Sequence, residues 1–178
     1  FEVEGGGEVS LTNIDRFRGD RWRQAVLELV GDGTLDRGRV LRSCLQALGR
    51  DFLPYRASWF SATYLALQPS LDEASAPQPQ LRRLLSAEVP ATQSFAVKQL
   101  LVIHKAGRLA VPETLAALRP VALASAKSTA LGALRLARAG EASHPREVAA
   151  VASVALGSAN ADVQRAAASL LLRVGGDD

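Results

Sequence analysis

Three stretches of this 178-residue chain run into a glycine with the same order of apolar and basic residues, and this repetition limits the possible folds most. They are residues 94–107, 126–140 and 161–175, and their glycines, Gly107, Gly140 and Gly175, lie 33 and 35 residues apart. Four residues before each glycine stands Ile103, Leu136 or Leu171; seven before stands Leu100, Ala133 or Ala168. Two before each stands a cation: Lys105, Arg138 or Arg173. Apolar residues spaced by three and four line one side of a helix, and another helical stretch separates successive copies. A unit of two helices with a period near 34 cannot bury its stripe alone, so the copies must stack side by side as an α-solenoid. In this register Ala168 is expected at the close contact between adjacent helices.

The rest of the chain agrees with an all-α fold. It contains 31 Ala, 27 Leu and 18 Arg against 2 Ile and 3 Lys, a bias toward strong helix formers. Trp22, Val26, Leu29 and Val30 mark a first helix, and Gly31-Asp32-Gly33 stops it. Thr34 is expected to cap a second helix with the stripe Val40, Leu41, Cys44, Leu45 and Leu48, and a third runs from Pro54 to Leu67. Residues 74–79 hold two prolines and are expected to form a loop before a short helix with Leu81, Leu84 and Leu85. Helices follow at about 91–106, 112–124, 127–139, 145–157 and 161–174, with Pro120 expected to kink or divide the second of these. Gly107, Gly140, Gly157 and Gly175 stand where a left-handed C′ residue is wanted. The total is about nine helices. Residues 1–18 stand apart: Phe1 to Glu4 and Glu8 to Leu11 alternate around Gly5-Gly6-Gly7, which suits a small hairpin or a flexible lead-in. The division is therefore an extension, 1–18, and a helical repeat domain, 19–178.

The last repeat carries a family resemblance. Asn160-Ala161-Asp162-Val163-Gln164-Arg165-Ala166-Ala167-Ala168-Ser169-Leu170-Leu171-Leu172-Arg173-Val174-Gly175 resembles the second helix of a HEAT repeat, with Asp, Val-x-Arg, paired alanines, leucine and closing glycine in that order. The copies ending at Gly107 and Gly140 lack the Asp and the Arg. Residues 35–41, Arg50-Asp51-Phe52 and Tyr55-Arg56-Ala57-Ser58-Trp59-Phe60 are similar to an uncharacterised bacterial family of HEAT-like proteins with no assigned activity. The resemblance implies a HEAT/armadillo-like α-α superhelix.

Chemistry-bearing patterns are few. One cysteine, Cys44, lies within an apolar stripe and reads as structural, and it excludes a disulfide framework. Two histidines, His104 and His144, exclude a His-rich metal site; His104 is expected to be partly buried and His144 exposed. No H-E-x-x-H, G-x-S-x-G, phosphate loop or dinucleotide fingerprint occurs. No uncharged stretch reaches the ~20 apolar residues of a membrane span. The acidic N-terminus lacks a basic leader, and the chain has no Met, so a processed product or a piece of something longer is expected.

Two groups stand out as candidates for partner binding. Five of nine aromatics fall between Phe52 and Tyr64, placing Tyr55 and Trp59 on one helix face beside Arg56. That is an aromatic hot spot for a peptide, or simply large rings filling gaps while Arg56 pairs with Asp51. Lys105, Arg138 and Arg173 form the second group. Each offsets the negative end of its helix dipole, or the three align as a cationic ladder for an acidic segment of a partner. The expected function is a non-catalytic protein–protein scaffold, cytoplasmic, with no cofactor and no small-molecule ligand. Net charge +3 leaves nucleic acid as the alternative. Some HEAT-like proteins are DNA glycosylases, and Asp51 with Tyr55 and Trp59 would have to begin such a site.

Overall fold

The structure, a computed structural model, describes residues 15–16, 19–50 and 53–175. The described residues are all-α and contain no strand. Eleven helices run between Arg21 and Val174: α1 (Arg21–Gly31), α2 (Arg37–Leu48), α3 (Pro54–Ala66), α4 (Leu71–Ser75), α5 (Gln78–Leu84), α6 (Pro90–Lys105), α7 (Val111–Ala117), α8 (Arg119–Ala122), α9 (Lys127–Ala137), α10 (Pro145–Ala155) and α11 (Ala161–Val174). A 3-10 turn, Arg138–Gly140, extends α9. Of the extension expected at residues 1–18, the hairpin or lead-in segments from Phe1 to Leu11 lie outside the described residues, and only Asp15 and Arg16 are described.

Two more helices form than the sequence suggests, and local chemistry explains both. Pro120 divides the expected helix 112–124 into α7 and α8, because it cannot donate a helical hydrogen bond. Just ahead of the expected loop 74–79, Ser70 and Glu73 make a reciprocal capping box that starts α4, which runs into that loop as far as Ser75. Pro79 then stands in the first turn of α5, where its missing N–H costs nothing. Asp36, rather than Thr34, caps α2, its carboxylate accepting from the Arg39 N–H at 2.6 Å. Of the four glycines expected to be left-handed, only Gly107 is, at φ 70°. It closes α6 with a pair of bonds, Gly107 N–H to the His104 carbonyl at 2.9 Å and Arg108 N–H to that of Ile103 at 3.1 Å. Gly175 has φ −100°, and Gly140 is buried in the 3-10 turn.

The helices form four stacked pairs: α2 with α3, α5 with α6, α7–α8 with α9, and α10 with α11. The first helices of the pairs pack on one another in one layer (α2 on α5, α5 on α7, α7 and α8 on α10), and the second helices in another (α3 on α6, α6 on α9, α9 on α11). One continuous core lies between the layers, and α1 packs against α3.

Burial corrects the repeat register. In the second layer the buried trios are Phe60, Tyr64, Leu67; Ala96, Leu100, Ile103; Thr129, Ala133, Leu136; and Val163, Ala167, Leu170. Tyr64, Leu100, Ala133 and Ala167 are thus equivalent, at spacings of 36, 33 and 34 residues. Alignment on the closing glycines misplaces the last copy by one residue, because Gly175 lies five residues past the buried Leu170 whereas Gly107 lies four past the buried Ile103. Ala168, expected at the inter-helix contact, is exposed, and Ala167 is the fully buried alanine. Alanine and glycine do set close approaches elsewhere: a Cβ on Gly132 in α9 would lie 2.5 Å from Val97 Cγ1 in α6.

Polar links tie successive pairs together. Arg37 meets Glu73 through two hydrogen bonds of 2.8 and 3.1 Å. Arg108 pairs with Asp72, and Lys127 at the start of α9 with Asp162 at the start of α11. The Gln78 side chain clamps the strap before α7, donating to the Arg108 carbonyl at 3.0 Å and accepting from the Ala110 N–H at 2.9 Å.

Candidate functional site

The aromatic group Tyr55, Arg56 and Trp59 is part of the scaffold. Trp59 is only 6% exposed, and its indole N–H donates to Asp15 Oδ2 at 2.6 Å. The same carboxylate accepts from the backbone N–H groups of Trp22 at 2.7 Å and Arg23 at 3.0 Å. Asp15 therefore does for α1 what its own N-cap residue, Asp20, does not, since the Asp20 side chain makes no capping bond. Tyr55 is half-buried, with the Arg16 guanidinium 5.1 Å from its ring centre and that of Arg56 at 5.8 Å. Arg56 is buried and donates from Nε to the Tyr55 hydroxyl at 3.1 Å. The Arg56–Asp51 pair lies outside the described residues. An indole enclosed in this way is not available to grip a peptide or stack on a base, so Trp59 leaves both the hot spot and the glycosylase-like constellation. Asp15 was missed because residues 1–18 read as an extension, and no local pattern announces an anchor 44 residues from its partner.

Cys44 is fully buried, and burial pushes its thiol up to about 12, which keeps it protonated and inert. Burial likewise raises the Tyr64 phenol to about 12, with Glu73 nearby as a lesser cause. His104 is half-buried as expected; His144, expected to be exposed, is half-buried just ahead of α10. Among the described residues no group of three or more His, Cys, Asp or Glu side chains could hold a metal ion. Among them, too, no helix is long and apolar enough to cross a membrane.

The cationic group is rearranged by the corrected register. Lys105 and Arg138 are equivalent, but the third member of their row is Leu172, 78% exposed, and not Arg173. The neighbouring outward rows are Lys98, Leu131, Arg165 and Val102, Arg135, Ser169. In α6 and α9, which have neighbours on both sides within their layer, an exposed residue can only point away from the core. Eight of these nine positions are exposed and Leu131 is half-buried, and together the nine form the outward face of α6, α9 and α11. Five are cations, three are apolar, one is serine and none is acidic. The only acid within the three helices is Asp162, already shared by Lys127 and Arg165. Sequence reading missed Lys98, Arg135 and Arg165, although a signal was present: α6 and α9 contain bases and no acid.

Arg173 joins this face at its edge. Its Nε donates to Glu141 Oε1 at 2.9 Å, and Nε of Arg138 lies 3.5 Å from the same oxygen. A second hydrogen bond, from the Arg173 guanidinium to Ser169 Oγ at 2.8 Å, fixes its orientation. Beside the pair runs a groove between α9 and α11 with Leu134 and Leu170 at its floor and Leu131, Arg135 and Ala166 on its walls. Lys105 makes no described contact with Arg138 or Arg173.

A family model described as "Domain of unknown function (DUF6493)" matches residues 12–128. No curated protein and no solved structure matches the chain.

Proposed function

Because the chain belongs to the family of the domain of unknown function DUF6493, which supplies no activity, we propose from its surface that it is a non-catalytic module binding another protein through an acidic segment. One observation carries this reading: the outward face of α6, α9 and α11 mixes five cations with three apolar side chains and contains no acid. Cations alone would suit a phosphate backbone, whose non-specific recognition is electrostatic. Exposed Val102 and Leu172 among them suit a partner that also brings apolar side chains. The stacking of helix pairs supports the same reading, since fixed helices display these side chains at little ordering cost. A cytoplasmic setting accords with one buried, unpaired cysteine.

The test is a fluorescence-anisotropy titration with a 15-residue peptide of Leu and Glu in amphipathic helical order, run beside a Leu/Lys counterpart and a duplex DNA of mixed sequence. The acidic peptide is expected to bind, more weakly as salt rises. Replacing Lys98, Lys105 and Arg135 by Gln together should cost about tenfold or more in affinity, the worth of several exposed charge contacts. Binding of duplex DNA with no binding of the acidic peptide would overturn the reading in favour of nucleic acid.

A further inference from the structure

The geometry points to the groove between α9 and α11 as the place where a partner's carboxylate is received, with Glu141 holding that place in the free protein. This deepens the acidic-partner reading and rests on it. Arg138 and Arg173 come from different repeats, yet both turn their Nε atoms to one oxygen, Glu141 Oε1, at 3.5 and 2.9 Å. Two guanidinium groups converging on one carboxylate oxygen define a carboxylate site, and the chain fills it with its own side chain. Ser169 holds Arg173 in that pose from the next turn of α11. The apolar floor starts directly beside the pair, at Leu134 and Leu170, and Arg135 stands exposed on the wall.

The size of the groove narrows its occupant. At about 300 Å³ it is at the lower limit for a small-molecule pocket and is open along its length. It accommodates one or two side chains of a polypeptide. The occupant is thus a partner segment with a leucine-like residue next to an aspartate or glutamate. The leucine covers Leu134 and Leu170, and the carboxylate replaces that of Glu141 between the arginines. Glu141 would then swing to solvent, its own pairing being an exposed one of small worth. The internal carboxylate sets a threshold: a neutral apolar segment cannot displace it, whereas an acidic one exchanges one ion pair for another.

The Leu/Glu peptide serves as the probe, with affinity, melting temperature and sedimentation measured on the intact chain. Glu141→Gln empties the arginine pair and should tighten binding about three- to fivefold, the worth of one exposed ion pair. Glu147→Gln, in the other layer, should leave affinity unchanged. Arg138→Gln with Arg173→Gln should weaken binding about tenfold or more, as charge-assisted contacts are lost. Leu131→Gln, on the groove wall, should weaken it, with melting measured alongside because this half-buried leucine also packs against the core. If affinity responds to Lys98 and Lys105 but not to Glu141, Arg138 or Arg173, the groove assignment fails while the acidic-partner reading stands. If no acidic peptide binds, both fail. A dimer that Arg173→Gln dissolves would give the groove to a second copy of the chain and overturn the proposal.

Discussion

Ala167 and Ala168 are adjacent, chemically identical and energetically opposite. Ala167 is fully enclosed between α11 and its neighbours, and Ala168 faces solvent. Ala167→Leu should overpack the contact and cost about 1–3 kcal/mol, whereas Ala168→Leu should leave the thermal midpoint almost unmoved. The reverse order of effects in a melting experiment would restore the glycine-aligned register. Asp15 is the second decisive residue. Removing its carboxylate takes away the acceptor of the Trp59 indole N–H and of two helix N-terminal N–H groups, and a hydrogen bond to a charged group contributes a net of about 1.5–3 kcal/mol. Asp15→Ala should therefore lower the melting temperature by several degrees and shift the emission of Trp59. An unaltered midpoint would show that α1 holds to α3 without it. Neither residue is legible locally. The sequence contains the alanine pair but not which member faces inward, because a one-residue error in register turns a helix by about 100°.

At the scale of elements, what reads clearly is whatever periodic burial or a single breaker dictates. The division of 112–124 at Pro120 and the spans of α6, α9, α10 and α11 follow from spacing, proline and glycine alone. The first member of the second layer, α3, is legible as a helix from Pro54 to Leu67, but its place in the repeat is not. Its trio Phe60, Tyr64 and Leu67 occupies the positions that Thr129, Ala133 and Leu136 fill in α9. Side-chain bulk hides the equivalence, since Tyr64 meets Phe95 edge-on at 5.4 Å where later pairs approach through alanine and glycine. The start of α4 was missed because proline density outweighed the Ser70–Glu73 box. That box has a consequence for acid stability. Glu73 accepts from Arg37 and from the Ser70 backbone, and these bonds hold its carboxyl down at about 2 against an ordinary 4.5. A carboxyl depressed in the folded state contributes stability above its unfolded value and loses it as pH falls from about 4.5 through about 2. Glu73→Gln should flatten the acid limb of melting temperature against pH in that window. An unchanged limb would locate the acid sensitivity elsewhere.

Taken whole, the molecule divides its tasks along its length. The pairs nearest the N-terminus are sealed by aromatics and by Asp15, while the later pairs use small residues and present the basic surface. Both tryptophans, Trp22 and Trp59, lie at the aromatic end, one half-exposed on α1 and the other enclosed against Asp15. The basic end has no indole and no tyrosine, because Tyr55 and Tyr64 lie in α3. Intrinsic emission thus watches one end of a quasi-linear stack, whereas far-ultraviolet circular dichroism averages over every helix of the chain. In a stack whose units contact only their neighbours, the two ends need not melt together. If the aromatic end is the sturdier, ellipticity will fall at lower denaturant than emission changes; coincident curves would mean that the pairs unfold as one. The chain thus carries a built-in optical label at one end only, and the end proposed to meet its partner is optically dark.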